Sequence, residues 1–138
     1  MEHWISEIRP IFAKYDVVAA YLFGSRAKGE AHIHSDFDLA ILFKNFYPEK
    51  HNLKMRIDLT VEISQRLNEH IDLVFLQSAP IAMRYEILAT GKVIYCFNDD
   101  IRTDFEDIVY RDYLDFKPFL DQFYKDEMEA VRDGYFFA

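Results

Sequence analysis

An apolar, partly β-branched run, Val17 to Phe23, stops at Gly24-Ser25. Ten residues follow, Arg26 to Ser35, and then Asp36-Phe37-Asp38 opens a second apolar run that lasts to Phe43. This stretch restricts the possible folds more than any other part of the chain. A run without polar alternation reads as a strand buried on both faces. Gly24 has no Cβ, so phosphate can approach the backbone closely. Ser25 is placed to cap a short helix, whose first N–H groups would point at an anion. Arg26 and Lys28 add positive charge. Asp36 and Asp38 stand two apart at a strand start, so both carboxylates point to one face. Paired hard-oxygen ligands on one face suit Mg²⁺, which fills the rest of its shell with water and phosphate oxygens. Each piece alone is commonplace: a Gly-Ser turn, a pair of solvated aspartates. The order strand, Gly-Ser, basic residues, Asp-x-Asp, strand is not.

That order resembles the signature of the nucleotidyltransferase superfamily, which includes DNA polymerase β and kanamycin nucleotidyltransferase. The words Phe-Gly-Ser-Arg-Ala-Lys-Gly and Ser-Asp-Phe-Asp-Leu look most like its shortest branch. That branch is the minimal nucleotidyltransferase (MNT) domain, the MntA-type antitoxin paired with a HEPN-domain RNase toxin. The core resemblance runs from Val17 to Tyr95. It implies a nucleotidyltransferase core whose first three strands lie side by side.

Composition bounds the rest. The 138 residues suit one domain, divided into a catalytic core of about 1–96 and a tail of about 97–138. Half the residues are hydrophobic, enough for a packed core. The single cysteine, Cys96, forbids an internal disulfide and fits a reducing compartment. No secretory pattern opens the chain and no apolar run reaches membrane length, so the expected location is cytoplasmic. The net charge of −8 is concentrated in the tail: residues 97–138 hold 12 Asp and Glu against 5 Lys and Arg. Such a surface repels phosphate backbones, so no direct nucleic-acid binding is expected, and it suits a basic protein partner.

Helical spacing of Trp4, Ile5, Ile8, Ile11, Phe12 and Tyr15 predicts a helix over 3–15, with Pro10 a blemish. Between 49 and 69, Ile57, Leu59, Val61 and Ile63 alternate like a strand. The polar residues Lys54, Asp58, Glu62, Gln65 and Glu69 recur at three and four, which decides for a helix, with Leu53, Ile57 and Leu67 on its inner side. Ile71 to Leu76 reads as a third strand. Ser78 and Pro80 open a helix that ends at Gly91, and Val93 to Tyr95 is a short edge strand. From Asp99 to about Asp133 the tail is helical, with a kink or a break expected at Pro118. It holds 11 of the 23 aromatic residues. The fold class is α/β (α+β): a small mixed sheet flanked by helices, plus the helical tail.

Nucleotidyl transfer needs two or three carboxylates around metal ions that clamp the attacking and leaving oxygens. Asp36 and Asp38 supply two. Asp72, in His70-Ile-Asp-Leu-Val-Phe, is the candidate third, since a lone charge in an apolar strand is costly without a metal or partner. The resemblance places the third acid there, binding the catalytic metal and helping to activate the acceptor hydroxyl. Gly24 and Ser25 are expected to hold the triphosphate. Arg26 is read as supporting phosphate or a carboxylate, and Lys28, where the family often has arginine, as secondary. His32 and His34, two apart in a loop without cysteines, are a weak zinc pattern and read as loop residues near the phosphate. The resemblance implies an antitoxin that moves AMP from ATP to a tyrosine of a HEPN RNase toxin. Alternatives are a small-molecule nucleotidyltransferase and a non-catalytic antitoxin acting by binding.

Overall fold

A computed structural model describes residues 3–29 and 36–134. His32 and His34 lie outside them. Elements follow in the order α1 (His3–Lys14), β1 (Val17–Phe23), α2 (Gly24–Ala27), β2 (Phe37–Phe43), α3 (Leu53–Leu67), β3 (Ile71–Phe75), a 3-10 turn (Leu76–Ser78), α4 (Ile81–Thr90), β4 (Lys92–Cys96) and α5 (Asp99–Arg132). The four strands form one mixed sheet in the order β3-β2-β1-β4. β1 runs antiparallel to β2 and β4, and β2 runs parallel to β3. The first three strands are neighbours, as the resemblance implies, and β4 is an edge strand, as expected.

The apolar run of β1 is explained by its position inside the sheet with helices on both faces. Ala20 and Leu22 join one core with Ile8, Phe12, Leu59 and Ile63 of α1 and α3. Val18, Ala19 and Tyr21 join the other with Ile87 of α4 and Ile101 and Phe105 of α5. Alternate side chains of a strand point to opposite faces, so every residue but Phe23 is buried.

Several local expectations need correction. Pro10 sits inside an unbroken α1. Ser25 does not cap α2; Phe23 occupies the cap position, with no side-chain bond. Ser78 likewise caps nothing: it ends the 3-10 turn, donates to the Phe75 carbonyl at 3.2 Å, and leaves Pro80 in the cap position of α4. The effective caps are asparagines. Asn52 accepts from Met55 N–H and Asn98 from Ile101 N–H, both at 3.0 Å, which starts α3 at Leu53 rather than at Glu49. Gly91 is extended rather than left-handed, and a side chain there would collide with the Ile87 carbonyl.

Two helices differ from expectation in ways that matter for function. In α3, only Leu59 and Ile63 are fully buried, while Leu53, Ile57 and Val61 are 62%, 52% and 47% exposed. The strand-like alternation is a pair of opposite stripes. Residues two apart on a helix lie about 200° apart and residues four apart about 40°. Ile57 and Val61 therefore share one side, and Leu59 and Ile63 the other. In α5, one helix of 34 residues runs through Pro118 without a break, about 50 Å at 1.5 Å per residue. The part up to Tyr113 is anchored. Tyr21 donates to Glu106 at 2.7 Å, Glu106 pairs with Arg102 at 2.9 Å, and Tyr85 stacks on Tyr113 at 3.8 Å. Beyond Tyr113 the helix leaves the core: Leu114, Phe119, Phe123, Tyr124 and Met128 are all more than half exposed.

Candidate active site at the ends of the first three strands

The site is assembled by strand register. Phe23, the last residue of β1, pairs with Asp38 of β2, and Asp38 pairs with Asp72 of β3. Gly24 therefore turns away directly over Asp38. It does so with φ +73°, a left-handed conformation, and a Cβ there would collide with the Asp38 carboxylate. The glycine and the aspartate of the motif are thus two halves of one contact. The close approach that Gly24 permits is, in this structure, that of Asp38.

Asp36 precedes β2, and its Oδ1 lies 3.0 Å from His70 Nδ1; both side chains are well exposed. The Phe37 N–H donates to the His70 carbonyl at 3.0 Å, holding the starts of β2 and β3 together. Asp72 is exposed, not buried as the apolar strand around it suggested: it alternates with buried Ile71 and Leu73 and so points to the other face of the strand. Burial first, then the charges of Asp72 and Asp36 and a hydrogen bond with Asp72, push the Asp38 carboxyl above its ordinary value. Three carboxylates therefore feel one another at one end of the sheet.

Arg26 does not stand alone beside them. Its guanidinium lies over the Phe37 ring at 3.9 Å, and Trp4 packs edge-on against the same ring at 4.9 Å. A cation–π contact of this kind fixes the guanidinium over the residue between Asp36 and Asp38. Ser25 is half-buried within α2, and Lys28, just past it, is exposed. His70 and Phe37 are site residues that the motif reading did not single out. Their signal was adjacency, each standing one or two positions from a named acid.

The donor set fits a hard divalent cation: mutually repelling carboxylates, one of them shifted toward protonation, with no competing thiolate near them. Among the described residues, no three His, Cys, Asp or Glu side chains form a ready-made ligand cluster. A Mg²⁺ ion held here would complete its shell with water and triphosphate oxygens. A cleft of about 540 Å³ lies near Phe46, Asn52 and Gln77. Asp72 borders a smaller one of about 240 Å³.

A glycine turn, a basic side chain and acids from two neighbouring strands form a candidate site of the kind nucleotidyl transfer needs. Residues 6–100 match the family described as polymerase beta, nucleotidyltransferase, and the chain belongs to that family. Within it, the chain is 31% identical over 80 residues to protein adenylyltransferase MntA of Shewanella oneidensis. That alignment covers 58% of this chain and 55% of the relative, so the match spans about half of that protein's length. Among solved structures, a toxin–antitoxin complex with AMP-PNP has a chain of the same fold. Its TM-score is 0.77 at 23% identity, over 90% of this chain and 98% of that one. A complex of tri-AMPylated Shewanella oneidensis HEPN toxin with MNT antitoxin aligns at a TM-score of 0.60 and 18% identity, over 86% and 94%. No helix among the described residues is long and apolar enough to cross a membrane.

Proposed function

We propose that this chain is an antitoxin that transfers AMP from ATP to a tyrosine of a HEPN-domain RNase toxin, with Mg²⁺ bound by Asp36, Asp38 and Asp72. The observation that carries the reading is the register that sets Gly24, Asp38 and Asp72 side by side at the end of the sheet. The similarity to an adenylyltransferase and to toxin–antitoxin complexes supports the choice of nucleotide and partner.

In this reading the triphosphate lies against the turn formed by Gly24 and Ser25. Arg26, steadied on Phe37, faces its negative charge, and Lys28 adds a second, more mobile cation. The tyrosine oxygen attacks the α-phosphorus as the bond from that phosphorus to the pyrophosphate oxygen breaks. Pyrophosphate departs with the electron pair, and the phenolic proton passes to Asp72 and then to water. Bound Mg²⁺ supplies neutralisation of the charge that develops on the attacking and leaving oxygens.

The distal half of α5 is the natural place for the toxin to dock. It carries uncovered aromatic and aliphatic side chains in acidic surroundings, the composition of an interface anchor. The partner is expected to present basic surface.

The test is incubation of the protein with ATP, Mg²⁺ and a HEPN toxin, followed by intact-mass spectrometry. The expected result is a toxin mass increased by whole AMP units, with the label on tyrosine, and none with Asp38→Asn. An unmodified toxin whose RNase activity is nonetheless blocked would replace this reading with neutralisation by binding alone.

A further inference from the structure

The second apolar stripe of α3 has a partner across a groove. Leu53, Arg56, Ile57, Thr60 and Val61 recur at intervals of three, one, three and one, which is a single helix face. Every one of them lines one of two clefts along β3. The larger, about 540 Å³, takes Leu53 and Arg56 with Phe75 and Gln77. The smaller, about 240 Å³, takes Arg56, Ile57, Thr60 and Val61 with Ile71, Asp72 and Leu73. Arg56 borders both, so the two clefts adjoin along β3, one beside Phe75 and the other beside Ile71, Asp72 and Leu73. Their wall is a helix face that the core does not use, and their floor is a sheet edge, since β3 ends the strand order. Asp72 borders the smaller of the two clefts.

We infer that this groove binds the acceptor: an extended segment of the partner protein lies along the free edge of β3 under the Leu53, Ile57 and Val61 stripe, with its reactive tyrosine at Asp72. The inference rests on the adenylyl-transfer reading above and names the part of the acceptor site that reading leaves open. Three observations select an extended peptide over other occupants. The edge of β3 offers unpaired backbone groups for a further strand. The five residues of β3 span about 16 Å at 3.3 Å per residue, which suits a peptide rather than a small molecule. The groove also borders a carboxylate that pairs in register with Asp38, so a bound strand would bring a side chain beside the acids.

Arg56 sets a chemical preference. It is exposed and forms no ion pair among the described residues. It borders both clefts, with Phe75 in one and with Ile71, Asp72 and Leu73 in the other. An acidic residue of the acceptor segment, two to four positions from the tyrosine, would meet it. A second copy of this chain is the competing occupant, by pairing of two β3 edges.

The experiment uses the full chain with a HEPN toxin and ATP, and compares wild type with Ile57→Asp and Arg56→Glu. Both positions are exposed, so folding should survive, which circular dichroism checks. The expected result is a KM for the toxin raised at least tenfold by either substitution, with kcat within about twofold. Hydrogen exchange of the wild-type protein should also slow at residues 71–75 when toxin is added. Protection confined to α5, with KM unchanged in both variants, would overturn the inference while leaving adenylyl transfer intact. A dimer of the chain alone that Ile57→Asp dissociates would give the groove to a second copy and overturn it too. Failure of the wild type to bind or modify the toxin at all would overturn both readings together.

Discussion

Gly24 and Asp38 cannot be varied independently. Gly24→Ala would place a Cβ into the Asp38 carboxylate and force a left-handed conformation on an alanine. The backbone strain alone costs about 1–2 kcal/mol. Displacing the carboxylate by even an ångström should lower AMP transfer by roughly 100-fold. Steady-state assays and urea melts of the same variant would read the two effects. Asp38→Asn should behave differently, abolishing transfer while raising the melting temperature of the metal-free protein at neutral pH. The sign follows from the raised pKa of Asp38. An acid whose folded pKa is raised contributes stability below its unfolded pKa and loses it as pH rises through the folded one. At neutral pH the charged form is a burden that asparagine removes. Scanning calorimetry with and without Mg²⁺ would check this, and a lower melting temperature for Asp38→Asn would mean that the carboxylate serves the fold instead.

At the level of elements, α5 is held to the sheet by a polar network in otherwise apolar surroundings. Burial, and then the bond to Glu106, push the Tyr21 phenol far above its ordinary range, so it remains a donor at any working pH. Glu106 accepts from Tyr21 and from Arg102, whose other end reaches Asp99 at 3.3 Å. Tyr21→Phe removes one charge-assisted bond and should cost about 1–2 kcal/mol. Glu106→Ala strands the buried phenol and leaves the guanidinium with Asp99 alone, and should cost about 3 kcal/mol. Denaturant unfolding at constant m-value would measure both. Equal costs would mean that Arg102 finds another partner.

For the molecule as a whole, α5 divides into an anchored part and an arm. Cutting the chain after Tyr113 removes side chains that are mostly exposed. The melting temperature of the core should therefore move by no more than about 4 °C, while the proposed binding of a HEPN toxin should be lost. Reversing two exposed charges, Asp121→Lys with Asp126→Lys, leaves the helix intact and should slow toxin association by roughly tenfold at low salt. Wild-type association should slow as salt rises, because screening shortens the reach of surface charge. Stopped-flow binding at several salt concentrations would reveal an arm without a docking role, in the form of an association rate that neither the reversal nor salt alters.

The sequence by itself determined the strands, the mixed sheet and the candidate catalytic residues. Apolar runs and motif spacing are local properties, and Val17–Phe23, Phe37–Phe43 and Asp36-x-Asp38 are each contiguous. Only the tertiary structure decided what those residues face. That Gly24 meets Asp38, that Asp72 is exposed and that His70 pairs with Asp36 depend on register between strands separated along the chain. Apolar spacing also could not say which stripe of α3 enters the core, because Leu53, Ile57 and Val61 are as hydrophobic as Leu59 and Ile63. The same limit hid the fate of the tail. Periodicity records that α5 has an apolar side, but whether that side is covered depends on how far the sheet extends beneath it. Here the last packed ring is that of Tyr113, stacked on Tyr85, and the aromatic stripe continues past it into solvent.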